Sequence, residues 1–155
     1  KHGATIDKFV GDAIVIFFGD PESRGVSEDA RACLCMAIEM QEKMQDLSEK
    51  WRSEGMENSL RVRIGINTGF CNVGNFGSDL RMDYTLIGAE VNLAARLEAL
   101  AAPGSVLMSG ETYHLVENFF DAVEVKVSNI KGIKREVRAF AINDIQGIDV
   151  SKQDS

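Results

Sequence analysis

The stretch TIDKFVGDAIVIF, residues 5 to 17, constrains the fold more than any other part of the chain. Two runs rich in β-branched and aromatic residues are separated only by Gly11-Asp12, and a two-residue loop of this kind is hairpin chemistry. The spacing predicts strands over residues 5–10 and 13–18, paired antiparallel. Such a hairpin argues against a purely parallel sheet, whose neighbouring strands need a crossover of a dozen or more residues. It also leaves Asp12 with two readings: a turn residue, or a carboxylate held out at a tip to bind something.

A long helix is expected from about Ser27, a plausible N-cap followed by Glu28 and Asp29, to a stop at Gly55. Its apolar seam runs through Ala30, Cys33, Ala37, Met40, Met44, Leu47 and Trp51 in steps of three and four. LRVRIGI then alternates Val62, Ile64 and Ile66 with other residues and breaks at Thr68-Gly69. A strand over 70–74, a loop GNFGSDL and a strand MDYTLIG lead into the helix AEVNLAARLEALAA, which Pro103-Gly104 terminates. The strand SVLMS, a short helix GETYHLVEN and two strands around FDAVEVKVS and EVRAFAIN follow. Residues 144–155 read as a polar tail. The expected fold class is α+β, with helices on one face of a largely antiparallel sheet.

At 155 residues the chain is long enough for one domain with a sizeable core. No apolar run approaches the roughly 20 residues that span a bilayer. Seventeen basic against 24 acidic residues give a net charge of −7, which disfavours nucleic acid and anionic membrane surfaces as partners. A polyanionic ligand would need local cations or a metal. Cys33, Cys35 and Cys71 lack metal-ligand spacing and fit reduced thiols in a cytoplasmic setting. His2 and His114 are isolated and read as surface residues.

Apart from Asp12, three residues stand out. Lys8 precedes Asp12 by four positions, which in a strand puts it on the same side; its plainer reading is a solvated edge lysine. Asn92 and Arg96 are spaced i, i+4 in a helix otherwise built of Ala, Leu, Val and Glu, so they share a face. Asn is a poor mid-helix residue, which favours a polar task. The plainer reading of Arg96 is a surface residue near Glu90 or Glu98, though neither sits three or four residues away.

KFVGDAIVIFFG, RIGINTGFCNVGNFGS, DYTLIGAEVNLAARLE and IKGIKREVRAFAI occur together in an order and spacing that resembles the class III nucleotidyl cyclases. The likeness extends to about residue 143, and no single motif carries it. It implies a ferredoxin-like, palm-type sandwich and a homodimer whose active sites are shared between subunits. It implies that Asp12 binds two divalent metals, magnesium or manganese, together with an earlier aspartate. Lys8 would read the adenine ring of ATP, and Thr85 would be the other base-reading residue. Asn92 would orient the ribose, Arg96 would stabilise the α-phosphate transition state, and Lys131 would contact the terminal phosphates.

In the implied reaction the ribose 3′-hydroxyl attacks the α-phosphorus, pyrophosphate leaves and 3′,5′-cyclic AMP forms. Two metals suit the attacking and leaving oxygens, and a guanidinium suits the developing equatorial charge. Adenine offers an acceptor at N1 and a donor at N6. Lys8 can only donate and Thr85 can accept, so the pair fits adenine. Guanylyl cyclases of this family usually carry Glu at the lysine position. Thr85 resembles a subgroup in which Thr replaces the more widespread Asp.

The family's first metal aspartate sits in an F-x-D-I-x-G-F motif some tens of residues before the hairpin. Only 11 residues precede Asp12 here, and Asp7 is too close to substitute. The expectation is therefore a cyclase domain over residues 1–143 without its first strand and first metal aspartate. It would be the cytoplasmic part of a parent with an upstream sensor or membrane region. The alternative is a catalytically silent cyclase-homology domain used for dimerisation or regulation.

Overall fold

The computed structural model describes residues 3–19, 23–55, 61–69, 72–75, 84–125 and 137–142. Lys131, Cys71, the loop at 76–80 and the tail from 144 lie outside the described residues. The hairpin forms as expected, with β1 (Thr5–Val10) antiparallel to β2 (Ala13–Phe17). Helix α1 follows (Val26–Ser53), then β3 (Ile64–Ile66), and β4 (Asn72–Asn75) paired antiparallel with β5 (Tyr84–Ile87). Next come α2 (Ala89–Leu100), β6 (Val106–Ser109), α3 (Gly110–Val116), β7 (Val123–Val125) and β8 (Ala139–Ile142).

The largest sheet has the order β3-β6-β8-β7. Its β6-β8 and β8-β7 pairs are antiparallel, while β3 and β6 run parallel. The β4-β5 hairpin and α2 form the crossover that a parallel pair requires. Helices cover both faces of this sheet, not one. On one side α1 and α3 bury Leu34, Ile38 and Val116 against Ile66, Val106, Met108, Phe140 and Ile142. On the other, α2 buries Leu93, Leu97 and Ala101 against Leu107, Ala139 and Ala141. Successive strand residues point to opposite faces, so the continuous apolar runs VLMS and AFAI need cover twice.

The seam of α1 also differs from expectation. Ala30 and Ala37 are buried and Cys33 packs at the edge of the core, but the other fully covered positions are Leu34, Cys35, Ile38 and Gln41. Met40, Met44, Leu47 and Trp51 are only half-buried. The buried stripe lies one step round the helix, where Leu34 and Ile38 meet the sheet. Gly25, not Ser27, is the N-cap, without a side-chain cap bond. Asp29 instead accepts from Ser23 Oγ at 2.5 Å and from the Arg24 amide at 3.1 Å, fixing the approach to the helix. Gly55 ends it as expected, at φ 93°.

Cys33 and Cys35 are free thiols, and burial pushes the Cys33 thiol up to about 12, so it stays protonated near neutral pH. His114 is exposed. Among the described residues no helix is long and apolar enough to cross a membrane.

Gln41 is the one buried polar side chain on the covered face of α1. Its Nε2 donates to the Val62 carbonyl at 2.8 Å and to the Ser105 carbonyl at 3.0 Å, tying α1 to the entry of both β3 and β6. Each carbonyl also accepts a backbone amide, from Gly104 and Ile64 respectively. Gln41→Leu therefore removes two bonds without stripping either carbonyl completely. A loss of about 1–3 kcal/mol is expected in urea unfolding of the two chains side by side; an unchanged midpoint would show that the bracket is dispensable.

Candidate active site

The hairpin tip follows from local chemistry. Val10 stands opposite Ala13, leaving Gly11 and Asp12 as the loop, and Gly11 takes φ 61°, which costs glycine nothing. Asp12 is exposed there, and among the described residues it makes no ion pair. Lower in the hairpin the register shifts between Ile6 and Lys8, so Asp7 is the extra residue of a β-bulge. The Asp7 side chain is fully covered, and its Oδ2 lies 3.3 Å from Lys8 Nζ, whose side chain is 41% exposed. The bulge thus holds a carboxylate beside the lysine and leaves the lysine half-open to solvent.

β1 packs against β5, the strand that carries Thr85. From β5 the chain passes through Gly88, at φ 145°, directly into α2. Leu93 and Leu97 bury one face of α2, and Asn92 and Arg96 lie exposed one turn apart. Neither neighbouring carboxylate is taken up by Arg96. Glu98 pairs with Arg63 at 3.5 Å, and Glu90 accepts from Asn67 Nδ2 at 2.6 Å. Among the described residues Arg96 has no ion-pair partner, so its charge is available to a ligand.

Three residues that sequence reading did not single out decide where α2 sits. A side chain at Gly65 would overlap the Glu98 amide nitrogen and the Ala94 carbonyl oxygen, so the helix backbone rests directly on β3. A side chain at Gly69 would overlap Glu90 Cγ. Asn67 grips the first turn of α2 through the Glu90 carbonyl as well as its carboxylate. The available signal was the run IGINTG, two glycines around an amide directly after a buried strand.

The structure therefore strings Thr85, Asn92 and Arg96 along one continuous β5-α2 segment and sets the Lys8 hairpin beside it. Asp12 stands apart at the hairpin tip, and Lys131 is outside the described residues. As a hard-cation ligand Asp12 has the right chemistry. Among the described residues, however, no group of three His, Cys, Asp or Glu could hold a metal ion. The described residues thus offer Asp12 as a candidate ligand and no complete site.

A family model described as the adenylate and guanylate cyclase catalytic domain matches residues 2–144. The chain belongs to that family. It is 30% identical over 149 residues to adenylate cyclase 1 of Rhizobium meliloti, a match covering 95% of this chain and 22% of that protein. The chain thus spans about a fifth of that relative's length. Among solved structures it resembles the adenylyl cyclase CyaB from P. aeruginosa, with a TM-score of 0.87 and 47% identity over 92% of this chain and 73% of that one. A guanylyl cyclase crystal structure matches with a TM-score of 0.77 and 34% identity, covering 90% of this chain and 70% of the other. These likenesses accord with the expected palm-type α+β fold.

The seat of α2 is testable. Gly65→Ala forces a methyl group into helix backbone that has no rotamer with which to yield, so it should destabilise the chain by about 1–3 kcal/mol. Gly65 lies in a strand and has no positive φ, so the loss cannot come from left-handed backbone strain of the kind that Gly104→Ala would suffer at φ 82°. An unchanged urea midpoint in Gly65→Ala would remove the close helix contact.

Proposed function

We propose that this chain is the catalytic domain of an adenylyl cyclase, converting ATP to 3′,5′-cyclic AMP and pyrophosphate at sites shared by two subunits. The observation that carries the reading is α2: a helix anchored by Leu93 and Leu97 that presents on its open face Asn92 and Arg96, the latter without an ion-pair partner among the described residues, in a chain of the cyclase family. Arg96 stabilises charge developing on the α-phosphate, and Asn92 orients the ribose. Lys8 donates to adenine N1, Thr85 accepts from N6, and Lys131 meets the terminal phosphates. Asp12 is one ligand for the divalent cations, and a further carboxylate has to come from outside the described residues. When bound, those cations supply Lewis acidity at the reacting phosphate.

The shared site is supported by what the hairpin leaves uncovered. Ile6, Phe9 and Ile14 share one face of the hairpin and are all about half exposed or more, with Phe9 at 70%. An uncovered apolar face of this kind is suited to burial against another subunit. The parent is proposed to join this domain to a sensor or membrane region, as the receptor-type adenylate cyclase of Trypanosoma brucei brucei, 33% identical over 94 residues, suggests. A second reading, a silent cyclase-homology domain, is favoured by the lack of any group of three metal-ligating side chains among the described residues.

The full-length protein should form cyclic AMP from ATP in magnesium or manganese at a much higher kcat/KM than cyclic GMP from GTP. The reverse preference would overturn the base assignment, and no turnover of either nucleotide would favour the silent reading. Arg96→Ala should lower kcat by about 100-fold or more, with a smaller change in KM. A change confined to KM would move the guanidinium to ground-state binding.

Lys8 and Asp12 share one hairpin, yet the family resemblance assigns them to opposite active sites: Asp12 to its own subunit's metals, and Lys8, with Thr85, Asn92 and Arg96, to the partner's nucleotide. Full-length Asp12→Asn and Arg96→Ala chains should each be inactive alone. Mixed, they form heterodimers in which one site collects both defects and the other none. Activity should return to roughly a quarter of wild type if pairing is random. A mixture that stays inactive after subunit exchange is verified would overturn the shared site.

A further inference from the structure

Asn67 sits just beyond β3 and is half-buried. Its Nδ2 donates to two oxygens of one residue, the Glu90 carbonyl at 3.0 Å and Glu90 Oε2 at 2.6 Å. Two acceptors on that side fix the amide orientation, because a flipped amide would face oxygen with oxygen. The cost of this orientation is visible. Asn67 Oδ1 is buried and, among the described residues, has no hydrogen-bond partner. A buried orphan acceptor is unfavourable, so the grip made by the other half of the amide has to outweigh it.

The grip falls where α2 lacks an ordinary anchor. The N-cap of α2 is Gly88, which has no side chain to cap the first turn. The glutamate is also pressed against the backbone of Gly69, where no side chain would fit. The next residue of the same loop reaches the other way: Thr68 Oγ1 lies 2.8 Å from Thr112 Oγ1, which contacts the N-cap Ser109 of α3 at 3.1 Å. Loop 67–69 therefore ties the first turns of α2 and α3 to the end of β3. Asn92 is two residues beyond Glu90, and Arg96 is one turn further.

We propose that Asn67 is a positioning residue for the cyclase reaction: through Glu90 it sets the register of α2 on the sheet, and with it the placement of Asn92 and Arg96. The inference rests on the reading of α2 as the bearer of those two groups. Asn67 itself touches no substrate. An amide suits the position because its NH2 group offers one N–H donor to a carbonyl and one to a carboxylate on a short, uncharged side chain; a carboxylate at 67 would repel both.

The test uses the full-length protein with two readouts: cyclase kinetics with ATP, and hydrogen exchange at the backbone amides of residues 92–96, whose helical bonds run back to the first turn of α2, against those of 106–109. Asn67→Ala should lower kcat by about 10- to 100-fold with little change in KM, since displacement by about an ångström has this effect on chemistry. Exchange should rise at 92–96 and stay unchanged at 106–109. Asn67→Asp should be worse than Asn67→Ala. Adding Glu90→Gln to Asn67→Asp supplies a donor opposite the introduced carboxylate and should recover about fivefold or more of the lost kcat. Glu90→Gln alone keeps an acceptor for Nδ2 and should retain most activity.

Should Asn67→Ala fail to fold, Glu90→Ala, which removes only the side-chain acceptor, must show the same exchange pattern with a smaller kinetic loss. Wild-type kcat in Asn67→Ala, or no recovery in the double variant, would overturn the proposal. If the wild-type protein turns over neither nucleotide, the functional reading fails, and exchange alone then decides whether the clamp exists: unchanged protection at 92–96 would remove it.

Discussion

The bare backbone of Gly65 under α2 is the contact on which the site depends. β3 and β6 run parallel, and such a pair must be covered on both faces. The cover on the α2 side is unusually close, because Ala94 and Glu98 of the helix rest where a β-carbon would otherwise stand. The small residues Ala139 and Ala141 extend the same shallow floor across β8. Close seating limits how far α2 can slide or roll. That rigidity is what a helix needs if its far face is to hold groups in register with a reacting phosphate.

Polar side chains finish what apolar packing starts, and they do so where strands begin or end. Gln41 brackets the entries of β3 and β6, while Asn67 and Thr68 bracket the exit of β3 to α2 and α3. These are the points where a strand pair frays and backbone groups lack ladder partners. On the far edge β7 is held differently, by an exposed bidentate pair in which Arg138 donates to both Glu124 oxygens at 2.9 and 3.0 Å. That hydrogen-bonded guanidinium holds the Glu124 carboxyl below its usual range. Exposed as it is, the pair aligns the edge strand more than it stabilises it.

Elements whose determinants are local were legible in the sequence. The β1-β2 hairpin follows from its two-residue loop, α3 from its strand-to-helix junction, and the ends of α1 and α2 from Gly55 and Pro103-Gly104. The double-sided sheet was legible in principle, because VLMS and AFAI are continuous and not alternating, but a one-sided sandwich was the expectation. The α1 stripe was misplaced because one of its fully buried members, Gln41, is polar and carries no hydropathy signal. The Asn67–Glu90 clamp joins residues 23 positions apart and was invisible for a simpler reason. Neither residue type announces a partner, and in the sequence Glu90 reads only as a neighbour of Arg96. The roles of Lys8, Thr85, Asn92 and Arg96 came from resemblance, not from local physics.

Electrostatics adds a last constraint on the proposed reading. A chain of net charge −7 repels a nucleotide triphosphate at long range, so binding has to come from cations at close quarters. The two cations placed on described elements are prepared in opposite ways. Arg96 stands without an ion-pair partner among the described residues, so its full charge is available to a phosphate. Lys8 lies 3.3 Å from a covered carboxylate, which offsets its charge and directs it. A lysine restrained in this way is poorly suited to a phosphate and well suited to one directed hydrogen bond to an uncharged base. The Asp7 bulge thus makes chemical sense of the proposed division of labour, in which the helix cation would meet the charged end of the substrate and the hairpin cation would read its neutral end.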